Sequence, residues 1–124
     1  MFRFSCAALI VLAFALAAVP ATADTLSEAI SATAKGDYGT AYRLLRPLAD
    51  EGSAEAQYWL GLVYKERNDV AQDDAASAQW MLRAAEQGHA AAQFSVAGSY
   101  RRGEGVPEDA AKAAAWLRRS AQQG

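Results

Sequence analysis

The chain has 124 residues, 52% of them hydrophobic, and a formal net charge of −2. Acids outnumber bases 14 to 12, so nucleic acid, which needs a basic excess, is excluded as a partner. The only cysteine is Cys6, so beyond the first segment there is no thiol for catalysis, disulfides or metal ligation.

In chain order, the first expected element is an export signal. Arg3 gives a short positive start, the run from Cys6 to Val19 carries no charge, Pro20 ends it, and Ala21-Thr22-Ala23 has the small-x-small pattern of a cleavage site. The run is shorter than the ~20 residues of a spanning helix. Residues 1–23 are therefore expected to be removed before Asp24, leaving no stable membrane anchor. Cys6 lacks the preceding small residues that would mark it for lipidation. Residues 24–124 carry a net charge of −3, with 23 alanines and only 23 residues from the set Val, Ile, Leu, Met, Phe, Trp and Tyr. Alanine at that level favours closely packed helices.

Thr25-Leu26-Ser27-Glu28 matches a capping box and predicts a helix to about Lys35. Gly36-Asp37-Tyr38 reads as a short turn, and a second helix is expected from Thr40 to Glu51. Beyond it the chain repeats itself. Sliding Ala54 to Gly88 onto Ala90 to Gly124, a shift of 36, gives 13 identities in 35 positions without a gap, among them Gln57, Tyr64, Asp73, Trp80, Arg83 and Gln87. Ala56, Leu60 and Tyr64 form one helical stripe, helix A. Arg67 to Gln72 reads as a loop, Asp73 as an N-cap, and Ala76, Trp80, Ala84 and Ala85 as the stripe of helix B, ending at Gly88. In the second copy Gly103-Glu104-Gly105-Val106-Pro107 is the loop, with two glycines open to positive φ and Pro107 near the start of helix B. The helix from Thr40 aligns with helix B, Leu44 with Trp80 and Gly52 with Gly88, so residues 25–52 resemble a first, degenerate pair. The prediction is an all-α fold, an α-α superhelix or solenoid of about three helix pairs. Its repeats are expected over residues 24–53, 54–89 and 90–124.

Ala-x-Ala-x-x-x-Leu-Gly-x-x-Tyr at Ala54 to Tyr64, Gly-x-Gly-Val-x-x-Asp at Gly103 to Asp109, and Trp-x-x-x-Ala-Ala-x-x-Gly at Trp80 to Gly88 resemble Sel1-like repeats, which are related to the tetratricopeptide repeat. The first loop has Arg67 and Asp69 at the glycine positions, and the second helix A has Val96 and Ala97 for Leu and Gly. The resemblance implies an adaptor or regulator that binds another protein or peptide. Some relatives with paired cysteines are linked to β-lactams; this chain lacks those cysteines, and the inference does not carry over.

No catalytic, cofactor or metal site is expected. His89 is the one histidine and reads as a turn residue, and the acid pairs Asp73/Asp74 and Glu108/Asp109 each open a helix B, where negative charge suits the helix dipole. For binding, the two copies differ informatively. Trp59, Leu62 and Val63 become Ser95, Gly98 and Ser99, so the repeat does not require bulk there. Trp59, Leu62, Val63 and Glu66 share a helical stripe and are candidates for a concave binding surface with Trp59 as anchor. The alternative is that they pack against the first helix around Leu26 and Ile30. Tyr58 and Phe94 read as structural. Residues 24–88 carry 6 bases and 11 acids, residues 89–124 carry 5 and 3. Arg101 and Arg102 are accordingly candidates for docking an acidic partner, though cations also suit a helix C-terminus. Gly124 falls on a repeat boundary, so the end is expected either to be open to a partner or to self-association, or to be capped by a last helix polar enough to do so. The expected location is the periplasm of a Gram-negative bacterium, with secretion the second. A sequestering inhibitor of a toxic enzyme and a cell-wall hydrolase are alternative roles, the latter requiring two carboxylates flanking a cleft.

Overall fold

The 36-residue period of the sequence is the period of the fold. The computed structural model describes residues 23–66 and 73–123. The expected export signal through residue 22, the loop from Arg67 to Gln72 and the terminal Gly124 lie outside the described residues. Among those residues the secondary structure is wholly helical: α1 at 23–34, then α2 (Tyr38–Asp50), α3 (Ala54–Glu66), α4 (Asp74–Glu86), α5 (Ala90–Arg102) and α6 (Ala110–Gln122). From α2 onward each helix packs on the next, giving the α-α superhelix of three helix pairs.

Two boundaries differ from expectation. Helix α1 is already formed at residue 23, so Thr25 lies inside it and is not its N-cap. Helix α2 begins at Tyr38, because the Asp37 side chain accepts the backbone N–H of Thr40 and serves as the cap. The two helices B start on the expected aspartates: Asp73 accepts from Ala76 at 2.9 Å and Asp109 from Lys112 at 3.0 Å.

Alanine lets the helices approach. One core cluster joins Ala29, Ala32, Ala41, Leu45, Ala49, Ala56, Leu60, Val63 and Trp80, and a second joins Met81, Ala84, Ala85, Ala92, Val96, Tyr100 and Ala113. At Gly61 a Cβ would lie 2.9 Å from Met81, so the glycine sets how closely α3 and α4 pack. The buried polar groups repeat as faithfully as the apolar ones. Gln57 donates from Nε2 to the Ala49 carbonyl and Gln93 to that of Ala85, both at 3.1 Å. Gln87 then donates to Gln57 Oε1 and Gln123 to Gln93 Oε1, both at 2.8 Å. Each buried amide thus ties its helix A to the preceding helix B and to the end of its own helix B.

Loop chemistry holds the second repeat against the first. Gly103 ends α5 in the left-handed region, φ 69°, with its N–H on the Ser99 carbonyl. Gly105 has φ 74° and sits against the Asp74 carbonyl at the start of α4, where a Cβ would collide with the backbone. This position requires glycine twice over, for its conformation and for its contact.

Candidate functional site

The stripe expected to bind a partner is divided by the fold. Val63 is fully buried in the first core cluster and is unavailable to a partner, which corrects its assignment. Helix α3 is sandwiched between α2 and α4, so its i+4 neighbour to Trp59 points into the core that α1 also joins. Trp59 is half-buried against that cluster, and its indole Nε1 donates to Glu55 Oε1 at 2.8 Å. Leu62 turns the other way and packs half-buried on the second cluster. Glu66 is exposed. Val63 and Trp59 thus belong to the cluster that Leu26, Ala29 and Ala32 of α1 also join, and Leu62 to the other.

Around Glu55 a polar cluster joins the two helices A. His89 is more than a turn residue: its Nδ1 accepts the Ala92 N–H and caps α5, so Nε2 carries the proton and donates to Glu55 Oε2 at 2.7 Å. The imidazole stacks on Tyr58, with ring centroids 4.7 Å apart. Partial burial pushes the Glu55 carboxyl up, and the hydrogen bonds from His89 and Trp59 more than reverse it, so that it lies below the usual glutamate value. Burial and the nearby Glu55 charge raise the Tyr58 phenol. Of these hydrogen bonds, the one between His89 and Glu55 crosses from one repeat to the next.

The accessible site is in the second copy. Phe94, expected to be structural, is 65% exposed, and with Leu117 at 42% it makes up the exposed large hydrophobic side chains among the described residues. Phe94 and Leu117 occupy the positions of Tyr58 and Met81, which in the first copy pack against His89 and α5 of the following repeat, and Ser95 and Gly98 stand for Trp59 and Leu62. A groove of about 180 Å³ lies between α3, α5 and α6, lined by Phe94, Leu117, Ala97 and Gly98. Lys65, Arg101 and Arg102 form its rim. Arg102 lies over Gly98, where an added Cβ would stand 3.1 Å from its guanidinium, closer than ordinary van der Waals contact.

Charge on the rim is unbalanced. Glu104 pairs with Arg102 at 2.9 Å and with Lys65 at 3.7 Å, and the Arg102 hydrogen bond holds its carboxyl below the usual range. Arg101 is exposed and forms no ion pair among the described residues. One carboxylate thus serves two of the three cations. The sequence-expected Arg101 and Arg102 come together with groups that were not singled out as binding residues, Phe94, Gly98, Leu117 and Lys65.

The acid pairs are structural. Asp73 and Asp109 are N-caps, no carboxylate lines the groove, and no group of three metal-ligating side chains occurs among the described residues. None of the helices described is long and apolar enough to cross a membrane.

The Sel1 repeat family matches residues 54–89 and 90–124. Among solved structures, a Sel1 repeat protein from Oxalobacter formigenes is 32% identical, with a TM-score of 0.65 over 68% of this chain and 65% of its own. The protein c5321, a protective antigen of uropathogenic Escherichia coli with an SLR fold, is also 32% identical, with a TM-score of 0.75 over 83% of this chain and 23% of its own. The chain thus spans just under two thirds of the first relative and about a quarter of the second. No curated protein matches it. Sel1 repeats are generally non-catalytic scaffolds that mediate protein–protein interaction. With both copies matched and the repeat geometry in place, this chain belongs to the Sel1 repeat family.

Proposed function

We propose that this chain is an exported adaptor or regulator of the cell envelope that binds a partner protein through the groove of its second Sel1 repeat, without catalysis. The observation that carries the reading is the pairing of Phe94 and Leu117, exposed on either side of a floor of small residues. Elsewhere the large apolar side chains are drawn into the core, and an exposed aromatic beside a small-residue floor is the form that an interface anchor takes. Export is supported by the uncharged run from Cys6 to Val19 and the small residues before Asp24. A periplasmic location fits these features, with secretion as the second.

Cell fractionation and affinity purification test the two halves of the proposal. The chain recovered from the envelope fraction is expected to begin at Asp24 and to bring down a partner that Phe94→Ala loses while helicity and melting are unchanged. Retention of residues 1–23 on cytoplasmic protein contradicts export. A partner equally retained by Phe94→Ala contradicts the groove.

A further inference from the structure

We infer that His89 is an acid-sensitive cap at the junction of the two Sel1 repeats: on taking a second proton it gives up its hydrogen bond to the first turn of α5 while keeping hold of Glu55 on α3. The repeats then stay joined and the start of α5 is released. The junction shares no residue with the groove.

Both ring nitrogens are committed. Nε2 donates to Glu55 Oε2 at 2.7 Å and Nδ1 accepts the Ala92 N–H at 3.2 Å, so an incoming proton can go only to Nδ1. There it turns the cap's acceptor into a donor that faces a donor, and it sets positive charge at the N-terminus of α5, where the helix dipole disfavours it. The contacts to α3 survive the same charge. The Glu55 carboxylate, already held below the usual glutamate range, becomes the partner of an imidazolium, and the Tyr58 ring, 4.7 Å away and inclined by 23°, offers its face to a cation. The ring stays and the cap goes. The preceding junction supplies the contrast: Ser53, at the position of His89, caps α3 by accepting the Ala56 N–H at 3.2 Å. A hydroxyl keeps its charge state in mild acid, whereas imidazole does not. The His89 side chain is 17% exposed, which gives solvent protons access to it.

Among the described residues, the ionisable groups in hydrogen-bond or ring contact with the imidazole are Glu55 and Tyr58, both from α3. Helix α4 meets His89 through its backbone, the Ala84 carbonyl accepting the His89 N–H, with Glu86 exposed in its last turn. Helix α6 reaches this end of α5 through Ser120 and Gln123, and its Arg119 lies over Trp116.

His89 is the chain's one histidine, so its imidazole signals in an NMR titration of the purified chain assign themselves. The ring nitrogen shifts are expected to place the proton of the neutral form on Nε2. Between about pH 8 and pH 5, hydrogen-exchange protection of the Ala92 amide, corrected for its intrinsic rate, is expected to fall about fivefold in step with the ring, the fold-change of a lost cap. Protection of the Ala56 amide is expected to stay within about twofold, since a serine cap does not titrate there. The Nε2–H signal is expected to persist in acid and to be lost in Glu55→Gln. His89→Ser installs the cap of the preceding junction and is expected to abolish the acid response at Ala92.

A neutral ring protonated on Nδ1 overturns the inference at its first step. Ala92 protection that stays constant while the ring titrates overturns it as well, because the cap then outlasts the proton. Equal loss at Ala92 and Ala56 means general loosening in acid, and loss of the Nε2–H signal in acid means that the ring leaves Glu55; either result contradicts the device. An acid response at Ala92 that survives in His89→Ser assigns it to another group. The wild-type titration decides by itself if that variant does not fold.

Discussion

A buried glutamine is the residue on which the repeat turns. Gln57 and Gln93 are 5% and 2% exposed, and each satisfies a carbonyl on one helix while accepting from a glutamine on another. Removing one takes a side-chain donor from a buried carbonyl and an acceptor from a neighbouring glutamine, so Gln93→Ala should lower stability by ~0.5–1.5 kcal/mol in urea unfolding. Exposed Gln79 offers a control, where alanine should have little effect. Glu55 makes the matching electrostatic prediction. Its carboxyl titrates below its unfolded value, so the stability it adds is present above the unfolded pKa and is lost as pH falls through the folded one. Glu55→Gln should therefore be less stable than the wild type near neutral pH, and the two melting curves should converge as pH drops below about 4. A difference that grows on acidification would contradict the assignment.

At the scale of elements, the loops decide how repeats join. Gly88 and Gly105 both have positive φ, at 98° and 74°. A Cβ on Gly88 meets open space, while one on Gly105 collides with the Asp74 backbone. Gly88→Ala should then cost about 1 kcal/mol and Gly105→Ala about 2–4 kcal/mol, measured by chemical unfolding. The helices themselves were readable from the sequence because apolar and small positions recur at helical spacing and aspartate stands at the caps; Asp73 and Asp109 needed no tertiary information. The start of α2 was less readable, since Gly36-Asp37-Tyr38 has turn composition and only the Asp37 cap shows where the helix begins. For the site, a stripe on α3 identified four residues that share a face, but one face of a helix packed between two neighbours still contributes to two cores. Val63 and Leu62 part for that reason. Phe94 was harder still: it aligns with Tyr58, a half-buried tyrosine that stacks on His89 of the following repeat.

On the scale of the whole molecule, two nearly equivalent repeats have been given different surfaces without altering the frame beneath them. The cation over the tryptophan recurs at 4.5 Å in both, Arg83 on Trp80 and Arg119 on Trp116, as do the glutamine ties and the aspartate caps. What differs is the helix A surface, bulky in the first copy at Trp59 and Leu62 and small in the second at Ser95 and Gly98. Such division suits a scaffold, in which the repeated groups secure stacking and the unrepeated ones confer recognition. The most direct test is positional: a photo-crosslinking amino acid placed in intact cells at position 94, at 59, or at the exposed position 43 on α2. The account predicts capture of one partner from position 94, its loss when Gly98→Leu is added, and none from 59 or 43. Capture from position 59 with none from 94 would contradict it.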